Sequence, residues 1–346
     1  MPQQTKHQAD VQIESWITLQ RDLGKAPNTV AAYERGVRHF AAFCRMASID
    51  LLHARKGTIA AYLHHLCARP LGGGRTGDAD RSLTPSPTMA NASLRHRLTI
   101  IRLFYDHLVE EGLRDTNPVP RGRRGAIDGT RHQTARGLVP VHRTLPWVPS
   151  QDQWTTILKA ARTEPIRNRL MLAFAYDCAL RREELCALET SDLDPAQRLI
   201  TIRAETTKTK TGRIVPYSSV TGELLAVYLR ERRALSRARG PLFLSNSPRN
   251  WAMPISKWTW SKVIRAMGIR AGEPKLGTHT MRHLCLTDLA RVGWDIHEIA
   301  RFAGHRNVQT TLLYIHLSAR DLSAKFAATA AELHEARLAS IMEVQQ

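Results

Sequence analysis

Arg181, Glu184, Lys208, His279, Arg282, His305 and Tyr314 are the residues whose types and order could do chemistry on an anion. His279 and Arg282 stand three apart, a spacing that puts a proton-carrying ring and a guanidinium on one helical face. Thr278, just before them, is a candidate helix cap. A helix N-terminus aims backbone N–H groups at negative charge, so this segment suits a phosphate. Arg181 and Arg282 can each offer a planar fork to two oxygens and stay charged at any relevant pH. Taken alone, the pair is an ordinary surface histidine beside a salt-bridged arginine. Tyr314 is one of seven tyrosines, each of which could simply fill a core.

Order and spacing separate these residues from the background. ALRREEL (179–185) places Arg181 at the end of a buried helix and Glu184 about one turn on. TKTKTGRIVP (207–216) puts Lys208 in a turn eight residues before Pro216. HTMRH (279–283), AGH (303–305) and TTLLYIH (310–316) follow, with Tyr314 nine residues beyond His305. In these stretches the sequence resembles the tyrosine recombinase family, also called the phage integrase family. That pattern reads GLRxxEL, a turn lysine before a strand ending in proline, HxLRH, LGH, and a tyrosine nine residues later. The resemblance covers about 150–320 closely. It extends more loosely over 10–118, where APNTVAAY and the EGL…NP ending look like the family's core-binding domain. Ala179 for Gly and Ala303 for Leu are small apolar departures beside the chemistry.

The resemblance implies a site-specific recombinase or integrase working through a 3′-phosphotyrosyl link to Tyr314, on two duplexes held by four protomers. Such a link stores the bond energy, so no ATP, metal or other cofactor is implied. Attack on a phosphodiester builds charge on the non-bridging oxygens, which calls for fixed cations and aimed donors. Arg181, Arg282 and His305 would supply them. By the same resemblance His279 suits proton transfer with the tyrosine hydroxyl and Lys208 suits proton donation to the departing 5′ oxygen. Lys210 shares the turn and competes for that acid role, although the distance from Lys208 to Pro216 matches the family's. Glu184 is read as orienting Arg181 or a neighbour. Arg182 adjoins Arg181 but would be rotated about 100° away on a helix. The alternatives are a resolvase or topoisomerase-like strand transferase, and a relative that binds DNA without cleaving it.

The bulk composition agrees with a polyanion as partner. The net charge is +19 over 346 residues, and 43 % of the residues are hydrophobic, enough for packed cores. That length makes two domains the default. The N-terminal segment has no apolar stretch of a signal peptide. No run approaches the roughly 18 apolar residues that span a bilayer. Five cysteines without a CxxC spacing fit free thiols rather than a disulfide or zinc scaffold. The expected location is the cytoplasm, beside the nucleoid.

The elements that must position the candidates are mainly helical. Apolar spacing predicts two helices over 10–46, a third over about 56–68 and a fourth over about 89–112, a small all-α DNA-binding unit (1–115). The stretch 70–88 reads as a flexible loop, and 116–146 as a basic linker carrying Arg121, Arg123 and Arg124. The catalytic unit (147–320) is expected to be mixed α/β, with helices and one β-hairpin of strands 199–203 and 213–217. A C-terminal helix (321–346) is expected to dock on its own or a neighbouring protomer. Arg95, Arg97 and Arg102 on the fourth helix, the linker arginines, Lys210 and Arg213 are the candidate DNA contacts. The expected partner is double-stranded DNA with an inverted-repeat core site, clamped by both units. The protein is expected to be monomeric when free and tetrameric on DNA. The short segment before residue 10 favours a simple two-arm site.

A surface this basic predicts salt-sensitive binding. DNA affinity, measured by titration at rising salt, should fall by roughly 0.9 log unit per log unit of salt for each phosphate contacted. An affinity flat between low and moderate salt would contradict this reading.

Overall fold

The helical spacing of Ile13, Trp16 and Ile17 becomes one face of α1 (Pro2–Asp22), and that face is fully buried. The structure is a computed structural model that describes residues 2–68, 89–119, 138–139, 145–207 and 209–318. Contacts divide the chain into two units, Met1–Arg143 and Thr144–Gln346, each with its own core.

In the first unit α1 is followed by α2 (Pro27–Met46), α3 (Lys56–Ala68) and α4 (Asn91–Glu110). Pro27 sits in the first turn of α2, where its missing N–H is no loss. The core is aromatic: Trp16 stacks on Tyr33 at 5.5 Å and meets Phe104 edge-on at the same separation. Tyr105 donates its hydroxyl to the Leu51 carbonyl at 2.7 Å, which ties the loop before α3 to α4. The boundary with the expected linker moves. Asn117 bonds the Arg102 carbonyl and Asp106 on α4, and Val119 and Val139 are buried in this core, so parts of 116–146 pack as domain. The glycine-rich stretch 70–88, Arg121, Arg123, Arg124 and the tail helix 321–346 lie outside the described residues.

The second unit opens with α5 (Gln151–Ala161), started by a reciprocal cap between Ser150 and Gln153. Then come α6 (Ile166–Asp177), α7 (Arg182–Cys186) and a three-stranded antiparallel sheet of β1 (Leu193–Asp194), β2 (Leu199–Ile202) and β3 (Arg213–Pro216). The hairpin is the one expected, with Ile200 opposite Val215, and the short β1 adds an edge. Helices α8 (Ser219–Leu235), α9 (Lys257–Arg270), α10 (Thr280–Arg291), α11 (Ile296–Ala303) and α12 (Leu312–Ser318) complete the unit. A core around Phe174, Tyr228, Phe243 and Trp260 supports α6, while Ala179, Cys285, Leu286, Ile299, Ala303 and Tyr314 form a smaller cluster.

One helix boundary differs from the sequence reading and matters for the site. The buried helix expected to run to Leu180 ends at Asp177. Ala179 then takes a left-handed conformation, φ 47°, and Arg181 is extended at φ −72°, ψ 152°. The reversal lets Arg181 leave the helix axis and cap α7. An L-residue in that conformation is strained by roughly 1–2 kcal/mol, which glycine avoids at some cost in unfolded-chain entropy. Ala179→Gly should therefore raise stability by about 0.5–1 kcal/mol in urea denaturation. A lowered midpoint would show that the alanine methyl packs too well to lose.

Candidate active site

The candidates stand on α7, α10 and α12 and in the turns beside them. Arg181 is the N-cap residue of α7, and its backbone N–H donates to Glu184 Oε2 at 3.0 Å. Its side chain reaches Glu184 Oε1 at 2.7 Å and the Gly304 carbonyl at 3.1 Å. Glu184 is 1 % exposed and accepts a second fork, from Arg213 of β3, at 2.7 and 3.2 Å. The Arg213 Nε donates to the Phe302 carbonyl at 3.0 Å. One buried carboxylate thus joins α7, β3 and the end of α11. Burial alone would raise the Glu184 carboxyl, but the bonds and charge of Arg213, then Arg181, hold it near 2.

Arg282, 3 % exposed on α10, donates to the Ala179 carbonyl at 2.5 Å and the Ala303 carbonyl at 2.7 Å. Those carbonyls fix the plane of its fork. Burial first, then the neighbouring Arg181 charge, lower it to about 10, which still leaves it charged near neutrality. Its Nη2 also lies 2.9 Å from His305 Nε2. A guanidinium can only donate, so Nε2 accepts and the ring hydrogen sits on Nδ1, which donates to Thr311 Oγ1 at 2.9 Å. Burial and then the Arg282 and Arg181 charges push the His305 imidazole down to about 3, so this ring is neutral.

Gly304 makes the turn between α11 and His305 possible. Its φ is 64°, and a Cβ there would stand 3.0 Å from Arg213 Nη1. Its carbonyl is the one that holds Arg181.

Tyr314 on α12 is 2 % exposed and closes the cluster. Its ring stacks on His305 at 6.0 Å between centroids, 6° from parallel. Its hydroxyl lies 3.0 Å from His283 Nδ1. Burial raises the phenol and the Arg282 and Arg181 charges oppose that rise.

The structure therefore gathers Arg181, Glu184, Arg282, His305 and Tyr314 into one chain of contacts. His279 takes the N-cap position of α10 with no side-chain cap bond, and its exposed ring stands 6.3 Å from that of His283. Desolvation first, then the nearby guanidiniums, lower the His279 pKa. Thr278 does not cap the helix; Thr280 Oγ1 accepts from Gly277 N–H instead. Lys208 lies outside the described residues. The turn around it is tied by Thr207, whose Oγ1 accepts from Thr211 N–H at 3.1 Å, and Lys210 is exposed at φ 56°. Arg182 turns away to Glu183 and Ser261. Arg213, read as a DNA contact, has its donors on Glu184 and Phe302 because that buried carboxylate needs a second cation. Arg95 is exposed on α4, while Arg97 and Arg102 are half-buried and Arg97 lies 3.4 Å from the Tyr62 hydroxyl.

Sequence reasoning missed two members. His283 was part of the quoted HTMRH stretch, and its adjacency to Arg282 was a usable signal. Thr311 carries no signal of its own, since any hydroxyl in the stretch before Tyr314 would read the same.

Comparison with known proteins agrees with this geometry. The model of the phage integrase family matches residues 149–320. A tyrosine recombinase XerC of Mycobacterium sp. (strain JLS) is 30 % identical over 244 residues, spanning 68 % of this chain and 75 % of that protein. The chain belongs to the phage integrase family of tyrosine recombinases. Another XerC, from Mycobacterium sp. (strain KMS), is 28 % identical across 90 % of this chain and 94 % of its own length. Two solved structures share the fold. The Tn1549 transposon integrase in complex with transposon right end DNA has a TM-score of 0.66 at 15 % identity, covering 91 % of this chain and 99 % of that one. A lambda integrase dimer bound to a core site has a TM-score of 0.63 at 17 % identity, covering 88 % and 94 %. Among the described residues no helix is long and apolar enough to cross a membrane.

Glu184 supplies the direct test of the site's framework. Glu184→Ala leaves Arg213 buried without its counter-charge and should cost roughly 3–5 kcal/mol in urea denaturation. Because the folded carboxyl lies below its unfolded value, its stabilisation is complete above about pH 5 and is lost as pH falls towards 2. The difference between wild type and Glu184→Gln should shrink over that window. An acid-independent difference would contradict the ion-pair account.

Proposed function

We propose that this chain is a site-specific DNA recombinase that cleaves and rejoins strands through a 3′-phosphotyrosyl link to Tyr314. One observation carries the reading: Tyr314 is buried in the field of Arg282 and Arg181, with its ring stacked on the same His305 that bonds Arg282. A tyrosine buried only for packing gains nothing from two guanidinium groups, whereas an attacking phenol needs its phosphate and its own oxygen held by one set of cations.

In this mechanism Arg181 and Arg282 bind the non-bridging oxygens of the scissile phosphate. The carbonyls of Ala179, Ala303 and Gly304 and the Glu184 carboxylate set their planes beforehand. Charge brought by the phosphate raises His305 from its depressed value and allows it to donate to the same oxygens. The Tyr314 oxygen attacks phosphorus, the P–O5′ bond breaks, and Lys208 protonates the leaving 5′ oxygen, with Lys210 the rival for that step. His279, at the exposed start of α10, handles a proton at the mouth of the site. A 5′-hydroxyl from another strand reverses the sequence and rejoins the DNA. The phosphotyrosyl bond conserves the energy of the phosphodiester, so neither ATP nor a cofactor takes part.

The partner is double-stranded DNA with an inverted-repeat core site. The net charge of +19 supports it, as do the relatives whose structures were solved on DNA. Two duplexes would be joined by four protomers that are monomers when free, in the cytoplasm beside the nucleoid. The first unit, through Arg95, Arg97, Arg102 and the linker arginines Arg121, Arg123 and Arg124, would contact the backbone.

Incubation with fragmented genomic DNA, followed by denaturing recovery of covalent adducts and sequencing, should yield one recurrent site. On a nicked duplex carrying that site, Tyr314→Phe should abolish the adduct. Arg181→Ala and Arg282→Ala should each slow its formation by about 100-fold or more while binding persists. An adduct that survives Tyr314→Phe would refute the reading.

A further inference from the structure

The cluster contains a second histidine, and its side chain reaches the nucleophile. His283 follows Arg282 on α10, and its Nδ1 lies 3.0 Å from the Tyr314 hydroxyl. The two rings are 5.8 Å apart and tilted by 34°.

The direction of this bond can be derived. The charge of Arg282, whose guanidinium has only donors, acts on the Tyr314 oxygen and opposes the rise of the phenol. A cation beside the oxygen draws its lone pairs, which leaves the hydroxyl hydrogen for His283 at 3.0 Å. A neutral imidazole can receive it on Nδ1. The groups that face His283 are His279 and Arg282 on its own helix, His305 from the turn after α11, and Tyr314 from α12. Burial, then His279 and Arg282, lower its pKa to about 4.

We propose that His283 accepts the Tyr314 proton during attack on the phosphate. This rests on the reading of Tyr314 as nucleophile and adds a catalytic residue to it. As the Oη–P bond forms, the hydroxyl proton passes to His283 Nδ1. The P–O5′ bond breaks, and the 5′ oxygen takes its proton from the separate acid. The bound phosphodiester offsets the guanidinium charge that depresses the imidazole, so basicity rises when the reaction needs it. In rejoining, the same proton returns to the tyrosine oxygen. His279, exposed and a helical turn away, is left for groups nearer the solvent.

The test uses the full-length protein and a nicked duplex carrying its recovered site, in two forms: ordinary, and with sulfur replacing the bridging 5′ oxygen. A thiolate leaves without an acid, so the sulfur substrate relieves defects in leaving-group protonation and not those in activating the tyrosine. Adduct formation by wild type, abolished by Tyr314→Phe, first secures the nucleophile. Its absence would sink that reading and not the role of His283 alone.

His283→Ala should then slow single-turnover adduct formation by about 100-fold or more near pH 7, with DNA affinity unchanged. His283→Asn should stay comparably slow, because its Oδ1 can accept the bond where Nδ1 stood but cannot take the proton. Both defects should persist on the sulfur substrate and narrow as pH rises towards the ionisation of tyrosine. Should the alanine variant misfold, as judged by circular dichroism, the asparagine variant carries the test. Wild-type rates in either folded variant, or full recovery on the sulfur substrate, would overturn the proposal.

Discussion

The buried Glu184 carboxylate is the point on which the rest of the site depends. A charge removed from water is tolerated only when other charges and donors replace the lost hydration. Here the replacement is two guanidinium groups, Arg181 and Arg213, and the backbone N–H of Arg181. Because those partners come from α7 and from β3, neither element can shift without exposing an uncompensated charge. Arg213 then extends the constraint to α11 through the Phe302 carbonyl, and Arg181 extends it through that of Gly304. The same interaction that stabilises the unit therefore aims the cation proposed to bind the phosphate.

Around this pair the site is assembled from chain ends and turns. Arg181 and His279 take the N-cap positions of two helices, and His305 follows a left-handed glycine. Such positions have carbonyls and N–H groups without helical partners, and these are what hold Arg282 and Arg181. The residue types reflect that use. Ala179 gives its carbonyl to Arg282 from a strained conformation, and Ala303 gives another from the last turn of α11. Tyr314 sits where the His305 ring stacks on it and His283 bonds its hydroxyl, so that hydroxyl is oriented before any substrate arrives.

Much of the fold was legible in the sequence. The hydrophobic faces of α2 and α4 and the hairpin of β2 and β3 follow from periodicity and turn chemistry. What escaped notice was non-local or nearly so. The end of α6 at Asp177 rather than Leu180 is invisible in a run of apolar residues, because the break is stabilised by contacts 100 residues and more away. Arg213 read as a surface cation, since nothing in TKTKTGRIVP shows that Glu184 lies beneath it.

By itself the sequence determined which residues could carry phosphate chemistry, the family they belong to and the helical character of both units. Motif spacing and side-chain type are local properties, and local properties survive in one dimension. Only the tertiary structure decided which groups share each hydrogen bond. It put Arg213 on Glu184 rather than on the surface, gave Arg282 and His305 one another, and set His283 rather than His279 against the Tyr314 hydroxyl. Those outcomes depend on how α10, α11, α12 and β3 pack. The desolvated charges among them accept few alternative partners.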